Sequence, residues 1–406
     1  MLYFYPLYID PGTGSMLFSI LVGAAATLFF LLRALVLKLK IVFSGGRASS
    51  DANFRWKHVI YCEGSHYWNV FKPVVEEFER KNIELRYLTS SPDDPVFENS
   101  WNFINAEYIG EGNKAFARLN FISAEIVLMT TPGLNVYQLK RSKTVKHYSH
   151  ILHMPNDATT YRLFGLDYFD SVLLTGSYQA ADIRFLEKLR GLPEKLLVTA
   201  GCSYLDVLSE KIRKLPAEEN HPFTVLVSPS WGTSSLLTRY GEKLLDPLCS
   251  SGWRVIIRPH PQSKKSEAHM LERLQDRYKN SDNVEWDFES ENIYSLHKAD
   301  AMISDFSGII FDFMFLCDKP VLYIKRGFDL RPYDADDLDH ELWQFTILKE
   351  AGIELLESDF QSITELIKKA SDNEFLSTAR KKASETAWQF KGEAGRRIFN
   401  FMTGNE

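Results

Sequence analysis

Residues 299–323, ADAMISDFSGIIFDFMFLCDKPVLY, place a strand, a turn and an apolar helix in immediate succession. Ala301–Ser304 is predicted to end a strand, and residues 309–316 to form a helix too apolar for a surface position. Lys319 and Pro320 then end this helix before a second strand. A strand, a helix and a strand in this order predict an α/β fold built on a parallel sheet.

The turn between the strand and the helix has the chemistry of a phosphate site. Ser307 supplies a hydroxyl, and Gly308 has no side chain that would keep a ligand away from the first backbone N–H groups of the helix. Ser and Asp before a helix also serve as ordinary N-caps, which is the simpler interpretation. Asp312 favours a ligand, because a carboxylate inside an apolar helix is costly unless it is paired or used.

A second motif, Arg258-Pro259-His260-Pro261, follows a predicted strand at residues 253–257. The two prolines stiffen the loop at the carboxyl end of the strand, which is the edge where open α/β sheets bind ligands. Arg258 can donate two hydrogen bonds to phosphate oxygens, and His260 can donate to them or transfer a proton.

Together these motifs resemble the C-terminal half of the CDP-glycerol glycerophosphotransferases, which build the glycerol phosphate chains of teichoic acids and related bacterial polymers. The family pattern is a basic residue, any residue and His-Pro, then Asp-aromatic-Ser-small, Phe-Asp-Phe and a strand led by Pro. The positions that fit it are Arg258, His260, Asp305, Ser307, Phe311, Asp312 and Pro320. The resemblance implies a GT-B-like fold, in which two Rossmann-like βαβ domains face a cleft.

The resemblance also implies roles for individual residues. A Trp-His-Gly loop of the family, whose His acts as the base, falls at Leu152-His153-Met154, with His150 as the alternative. We therefore expect catalytic roles for His153 and His260. The expected donor phosphate ligands are Arg258, His260, Ser304, Asp305, Ser307 and Gly308, of which Ser304 and Asp305 would order the turn. The expected nucleotide-binding residues are Ser230, Trp231, Gly232 and Asp312.

One further motif departs from the family. Gly-x-Pro-Arg-x-Asp of the family corresponds to residues 201–206, where Gly201 and Asp206 match but Tyr204 replaces Arg. Because this positive charge is missing, an alternative function stays open. In it, a glycosyltransferase of the same fold transfers a sugar from a nucleotide-activated donor.

Strand and helix patterns alternate from His58 onward, which predicts βαβ units. The predicted organisation is a Rossmann-like acceptor domain at 56–210, a charged linker at 211–222, a nucleotide-donor-binding domain at 223–385, and a C-terminal helix within 386–406 that packs back on the domain junction.

The apolar run at 16–39 is long enough for a transmembrane helix, which needs about 20 residues, if Arg33 extends its charge to the surface. Basic residues follow in the linker 40–55. By the positive-inside rule, residues 1–15 are expected outside a plasma membrane that the chain crosses once, with the body on the cytoplasmic face. A buried helix of a soluble protein is the alternative.

The composition excludes several classes. A net charge of −6 over 406 residues argues against a nucleic-acid binder, and the four dispersed cysteines indicate neither a disulfide framework nor a zinc site. His147, His150 and His153 follow a strand pattern that would not put all three on one face, so no metal site is predicted. The acidic run 334–341 is interpreted as a solvated loop. A divalent metal requirement and the oligomeric state stay open.

The function expected from the resemblance is transfer of glycerol phosphate from CDP-glycerol to a hydroxyl of a lipid-linked acceptor at the membrane, with release of CMP. The alternatives are a GT-B glycosyltransferase with a nucleotide-sugar donor and a catalytically silent scaffold of an envelope complex.

Overall fold

The computed structural model describes residues 56–216, 221–324 and 329–405, together with residues 27, 28 and 32. The chain divides into two compact units, Met1–Asn53 and Phe54–Glu406. The predicted segments 1–15, 16–39 and 40–55 lie outside the described residues, apart from the three positions given above. Among the described residues, no helix has the length and apolar character needed to span a membrane.

The larger unit begins with a sheet of seven parallel strands in the order β3-β2-β1-β4-β5-β6-β7. The strands are β1 Trp56–Cys62, β2 Leu85–Thr89, β3 Ile104–Tyr108, β4 Ala124–Met129, β5 Val145–Ile151, β6 Ser171–Leu174 and β7 Leu196–Thr199. The helices of this part are α1 Trp68–Arg80, α2 Asn113–Leu119, α3 Ala180–Arg190 and α4 Ser203–Arg213.

A second sheet has six parallel strands in the order β10-β9-β8-β11-β12-β13. They are β8 Thr224–Val227, β9 Arg254–Ile257, β10 Val284–Trp286, β11 Ala301–Ser304, β12 Val321–Tyr323 and β13 Ile353–Glu354. The helices are α5 Leu236–Cys249, α6 Ser263–Ser266, α7 Ala268–Tyr278, α8 Ile293–Lys298, α9 Ile309–Cys317, α10 Trp343–Ala351, α11 Ile363–Ser371, α12 Glu374–Ala387 and α13 Ala394–Thr403. The predicted α/β class with two parallel sheets is confirmed.

Helix α9 is buried on nearly all sides, which explains its apolar sequence. Phe313 is fully buried in a cluster that also contains Leu205 of α4 and Ala387 of α12. The helix ends at Asp318, which adopts a left-handed conformation (φ 50°) and accepts a hydrogen bond from Arg380 of α12 at 3.2 Å. Residues from both halves of the unit thus hold α9 in place.

The last helix, α13, packs against α1 beside the first sheet. The Phe399 and Phe78 rings meet edge to face, with centroids 4.9 Å apart. A Cβ on Gly395 would lie 2.8 Å from the Pro73 backbone, so only glycine permits this approach. The C-terminal residues of the chain therefore complete the core of its N-terminal half.

Candidate active site

The predicted phosphate and nucleotide residues that follow β8 and β11 lie at the point where the strand order of the second sheet reverses. β8 and β11 are neighbours there, while the chain continues from them to β9 on one side and to β12 on the other. Open α/β sheets bind ligands in the crevice outside the carboxyl ends of the strands at such a switch point. The loop 228–235 after β8 and the turn 305–308 after β11 both flank it.

Asp305 joins these two loops. Its carboxylate accepts the N–H of Ser230 at 2.8 Å, the hydroxyl of Ser230 at 3.0 Å and the N–H of Leu236 at 2.9 Å. Burial raises the pKa of Asp305, and these donors offset part of that effect. The Ser304 hydroxyl donates to the Ser228 carbonyl at 2.7 Å. These hydrogen bonds within the protein order the turn. They also occupy the polar side-chain groups of Asp305, Ser304 and Ser230 that would otherwise be free to bind a ligand.

Ser307 and Gly308 leave donors free at the start of α9. The half-buried Ser307 hydroxyl has no hydrogen-bond partner among the described residues, and the N–H groups of Gly308 and Ile309 reach no acceptor there. We call these three donors the anion seat, because unpaired N–H groups at a helix N-terminus attract negative charge. Met154, from the loop after β5, lies so close to Gly308 that a Cβ on residue 308 would overlap its Cε methyl.

His260 lies on the loop after β9, beside the loop that carries Trp231. The two ring centroids are 6.3 Å apart. Because His260 Nδ1 accepts the N–H of Gln262 at 3.1 Å, the proton of the neutral ring is on Nε2. Burial lowers the pKa of His260, so at pH 7 the ring is a neutral donor at Nε2.

The Arg258 side chain is bound by residues that follow β10. Its guanidinium forms a buried ion pair with Asp287 at 2.5 Å and donates to the carbonyls of Glu289 at 2.9 Å and Ser290 at 3.4 Å. The Arg258 and Asp287 side chains are each 8 % exposed. In this structure Arg258 therefore holds the loop after β10, and its phosphate contact stays a prediction.

His153 follows β5 and directly precedes Met154, so it lies beside the anion seat. The Tyr161 hydroxyl is 3.3 Å from His153 Nδ1 and 3.1 Å from His150 Nε2. Burial lowers the pKa of His153 to about 4 and that of His150 to about 3, so both rings are neutral at pH 7. His150 is 0 % exposed, whereas His153 is partly exposed. Of the two candidates for the base, His153 is the accessible one.

Asp312 lies one turn beyond Gly308 on α9 and is 2 % exposed. Its Oδ2 accepts the Tyr204 hydroxyl at 3.1 Å and the Asn292 side-chain amide at 3.2 Å, while Oδ1 has no partner among the described residues. Burial raises the pKa of Asp312 to about 7. The structure therefore places Asp312 in the contact between α4 and α9, where Tyr204 meets it, and its role in nucleotide binding stays a prediction.

Trp231 and Gly232 are at the opening of the crevice. Trp231 is 49 % exposed and free to stack on a planar ring. Gly232 has φ +94° and donates its N–H to Glu267 at 3.2 Å. Sequence reasoning does not single out Glu267, since an acidic residue before an amphipathic helix carries no distinguishing pattern.

The acidic segment after β12 differs from the predicted solvated loop. Asp334 is 2 % exposed and accepts the N–H groups of Phe164 at 2.7 Å and Gly165 at 3.1 Å, as well as a bond from Arg190 at 2.7 Å. Arg190 also pairs with Asp337 at 2.6 Å. This segment, at 334–337, therefore ties the second sheet's loops to those of the first.

Asp157 makes a second connection of this kind. Its carboxylate accepts the N–H of Trp343 at 3.2 Å and that of Gln344 at 2.8 Å, at the start of α10. A carboxylate at this position satisfies otherwise free helix donors.

The three spaced histidines do not converge. His147 Nε2 lies 2.8 Å from the Ser171 hydroxyl and its ring contacts Phe401, whereas the His150 ring contacts Phe169. In the part of the chain that the structure describes, no group of three or more His, Cys, Asp or Glu residues could hold a metal ion.

Comparisons with known proteins agree with this architecture. Residues 214–404 match the family described as CDP-Glycerol:Poly(glycerophosphate) glycerophosphotransferase. The solved structure of the wall teichoic acid polymerase TagF is similar, with a TM-score of 0.59 and 13 % identity over 94 % of this chain and 97 % of that chain. No curated protein sequence matches significantly.

UDP-GlcNAc 2-epimerases share the fold as well. The structures from Methanocaldococcus jannaschii and from Neisseria meningitidis, the latter bound to UDP-GlcNAc, each have a TM-score of 0.55 and 13 % identity over 86 % of this chain and 100 % of the other. At such identities the structural similarity shows a GT-B-like fold alone. Residues 214–404 are therefore similar to the CDP-glycerol:poly(glycerophosphate) glycerophosphotransferases, and the fold is GT-B-like.

Proposed function

We propose that the protein transfers glycerol phosphate, or a related polyol phosphate, from CDP-glycerol to a hydroxyl of a lipid-linked glycan or polymer and releases CMP. The polymer would be a teichoic acid or a related component of the cell envelope. The proposal is supported by the free donors of the anion seat, by the contact of Met154, the neighbour of His153, with Gly308, and by the match of residues 214–404 to this family.

The reaction requires a base and a site for phosphate charge. The acceptor oxygen attacks the phosphorus distal to cytidine, forming a P–O bond, while the bond from that phosphorus to the bridging oxygen breaks and CMP leaves with the electron pair. The Nε2–H of His260, the Ser307 hydroxyl and the two backbone N–H groups of the anion seat would donate to the phosphate oxygens.

His153 would take the proton of the acceptor hydroxyl at Nε2. For this its Nδ1 must carry the other proton and donate it to the Tyr161 oxygen, and the Tyr161 hydroxyl then donates to His150 Nε2. The distances of 3.3 and 3.1 Å are compatible with this direction. Tyr161 is thus a positioning residue, and no sequence motif marks it as one.

We also propose that residues 16–39 anchor the protein in the plasma membrane with its body on the cytoplasmic side. This is supported by the length of the apolar run and by the basic residues that follow it. A lipid-linked acceptor diffuses in the membrane plane, while a nucleotide donor is water-soluble, so an anchored enzyme would meet both.

A nucleotide-binding comparison tests the donor. The full chain in detergent is titrated calorimetrically with CDP-glycerol, CDP-ribitol, CMP and UDP-GlcNAc, using wild type, His260→Gln and His269→Gln. His269 is a matched control, because its side chain is fully exposed on the neighbouring helix α7. We expect cytidine nucleotides to bind to wild type and to His269→Gln, and we expect His260→Gln to have lost this binding. Preference for UDP-GlcNAc would support a nucleotide-sugar enzyme, and no binding of any nucleotide would support the scaffold.

A further inference from the structure

We propose that Met154 is a gate over the anion seat. Its thioether covers Gly308 in this structure and turns into an adjacent cavity when the diphosphate of the donor binds. The proposal rests on the proposed function, because it takes the donor diphosphate as the ligand of the seat.

The first observation is the contact itself. The Met154 Cε methyl occupies the space that a Cβ of residue 308 would enter, and its Sδ lies 3.5 Å from that same position. A phosphate oxygen accepting the Gly308 N–H needs room next to this glycine. An apolar methyl group offers no hydrogen-bond acceptor, so Met154 contributes no partner to the donors of the anion seat.

The second observation is the space into which Met154 can turn. A cavity of about 210 Å³ lies next to it within the loop 152–161, and its walls include His153, Asn156, Thr160 and Tyr161. This is far above the roughly 10–15 Å³ that holds one water molecule. Methionine has three rotatable bonds and no branch, so its end can change place without moving the backbone.

The gate would link the two substrates. The same cavity borders His153, where the acceptor hydroxyl must arrive. Met154 forms part of the cavity wall and also contacts Gly308 of the anion seat. Donor binding would therefore reshape the acceptor side through one side chain. Because the seat must be uncovered first, the apparent affinity for the donor is lowered by the fraction of molecules in which Met154 covers it.

Methyl NMR of the full chain tests the movement directly. The protein contains eight methionines, which are labelled with ¹³C at the methyl carbon, and the Met154 signal is identified by its loss in Met154→Leu. Met270→Leu is the matched control, since Met270 is in α7 and packs on the core of the second sheet. On titration with CDP-glycerol, we expect the Met154 signal to shift in proportion to the saturation measured by calorimetry, while the Met270 signal stays in place.

Affinity gives a second readout. Met154→Ala should lower the Kd for CDP-glycerol by about fivefold or more, because no side chain then has to leave the seat. Calorimetric binding without a change of the Met154 signal would overturn the gate and leave the proposed function standing, as would an unchanged or raised Kd in Met154→Ala. Absence of binding in wild type would overturn the proposed function and the gate with it.

Discussion

Removing Arg258 should destabilise the protein by breaking a buried ion pair. The Arg258 guanidinium and the Asp287 carboxylate are 2.5 Å apart with 8 % of each side chain exposed. In Arg258→Met the Asp287 charge would keep only the Ser295 hydroxyl and the Glu289 N–H as partners. Leaving one charge of a buried pair uncompensated costs about 3–5 kcal/mol, so we expect a loss of that size.

The double variant Arg258→Met/Asp287→Asn separates this effect from a phosphate contact. An asparagine at position 287 keeps an acceptor for Glu289 and Ser295 but carries no charge, so the double variant should be no less stable than either single one. The interaction energy would be about 3 kcal/mol. If Arg258 acts only on the loop after β10, the double variant should also bind CDP-glycerol nearly as well as wild type.

Urea unfolding followed by tryptophan fluorescence measures these differences. The control is Arg254→Met, which removes the neighbouring but more exposed pair of Arg254 with Glu285 and should cost no more than about 1 kcal/mol. The reasoning is refuted if Arg258→Met unfolds like wild type, or if the losses of the two single variants add in the double variant. Normal stability with lost CDP-glycerol affinity would make Arg258 a phosphate ligand.

Three further predictions concern other buried or paired groups. Because burial raises the pKa of Asp312 to about 7, the folded state holds a proton that the unfolded state releases near pH 4, and stability falls as pH rises between these values. Above pH 7, Asp312→Asn should therefore be more stable than wild type by up to about 4 kcal/mol. If the unfolding free energies of the two proteins in urea changed with pH in the same way, this prediction would be contradicted. Hydrogen bonds to Asp339 and Asp182 raise the pKa of His340 in the folded state. The stabilisation of the fold by protonated His340 is therefore fully present below pH 6.5 and is lost as the pH rises through the raised pKa. With 46 % of its side chain exposed, His340→Gln should cost under about 1 kcal/mol at pH 6 and nothing at pH 9; an equal loss at both would exclude the ion pairs. Asp157→Ala should lower the free energy of unfolding by about 1–2 kcal/mol, because two N–H groups at the start of α10 lose their acceptor. Asp157→Asn keeps an acceptor and should cost clearly less. Equal losses in the two variants would show that these hydrogen bonds are not the cause.

Local patterns in the sequence are enough to predict the backbone of the site. The apolar character of α9 and the strands on either side of it predict a parallel sheet, and a parallel sheet brings its loops to one edge. This is why Ser307, Gly308 and His260 can be proposed as site residues from their positions after strands. Free backbone N–H groups are expected at the start of a helix, and a short loop is expected to fix the side chain of His260.

Side-chain directions depend on distant partners and cannot be predicted in the same way. Arg258 faces Asp287, which lies 29 residues later, and Asp312 faces Tyr204, which lies 108 residues earlier. Asp334 is buried because Arg190 and the backbone at 164–165 meet it, although its acidic neighbours are typical of a surface. Such pairings follow from the packing of the two sheets' loops, and no local periodicity encodes them.

Product analysis with CDP-glycerol tests the proposed function most directly. The full chain in detergent is incubated with CDP-glycerol and a synthetic lipid ending in glycerol phosphate, and CMP release is measured together with the new phosphodiester by ³¹P NMR. We predict that both depend on the lipid, appear in equal amounts, and fall about 100-fold or more in His153→Gln but not in His147→Gln. CMP release without a phosphodiester, or full activity in His153→Gln, would contradict the proposed reaction or its base.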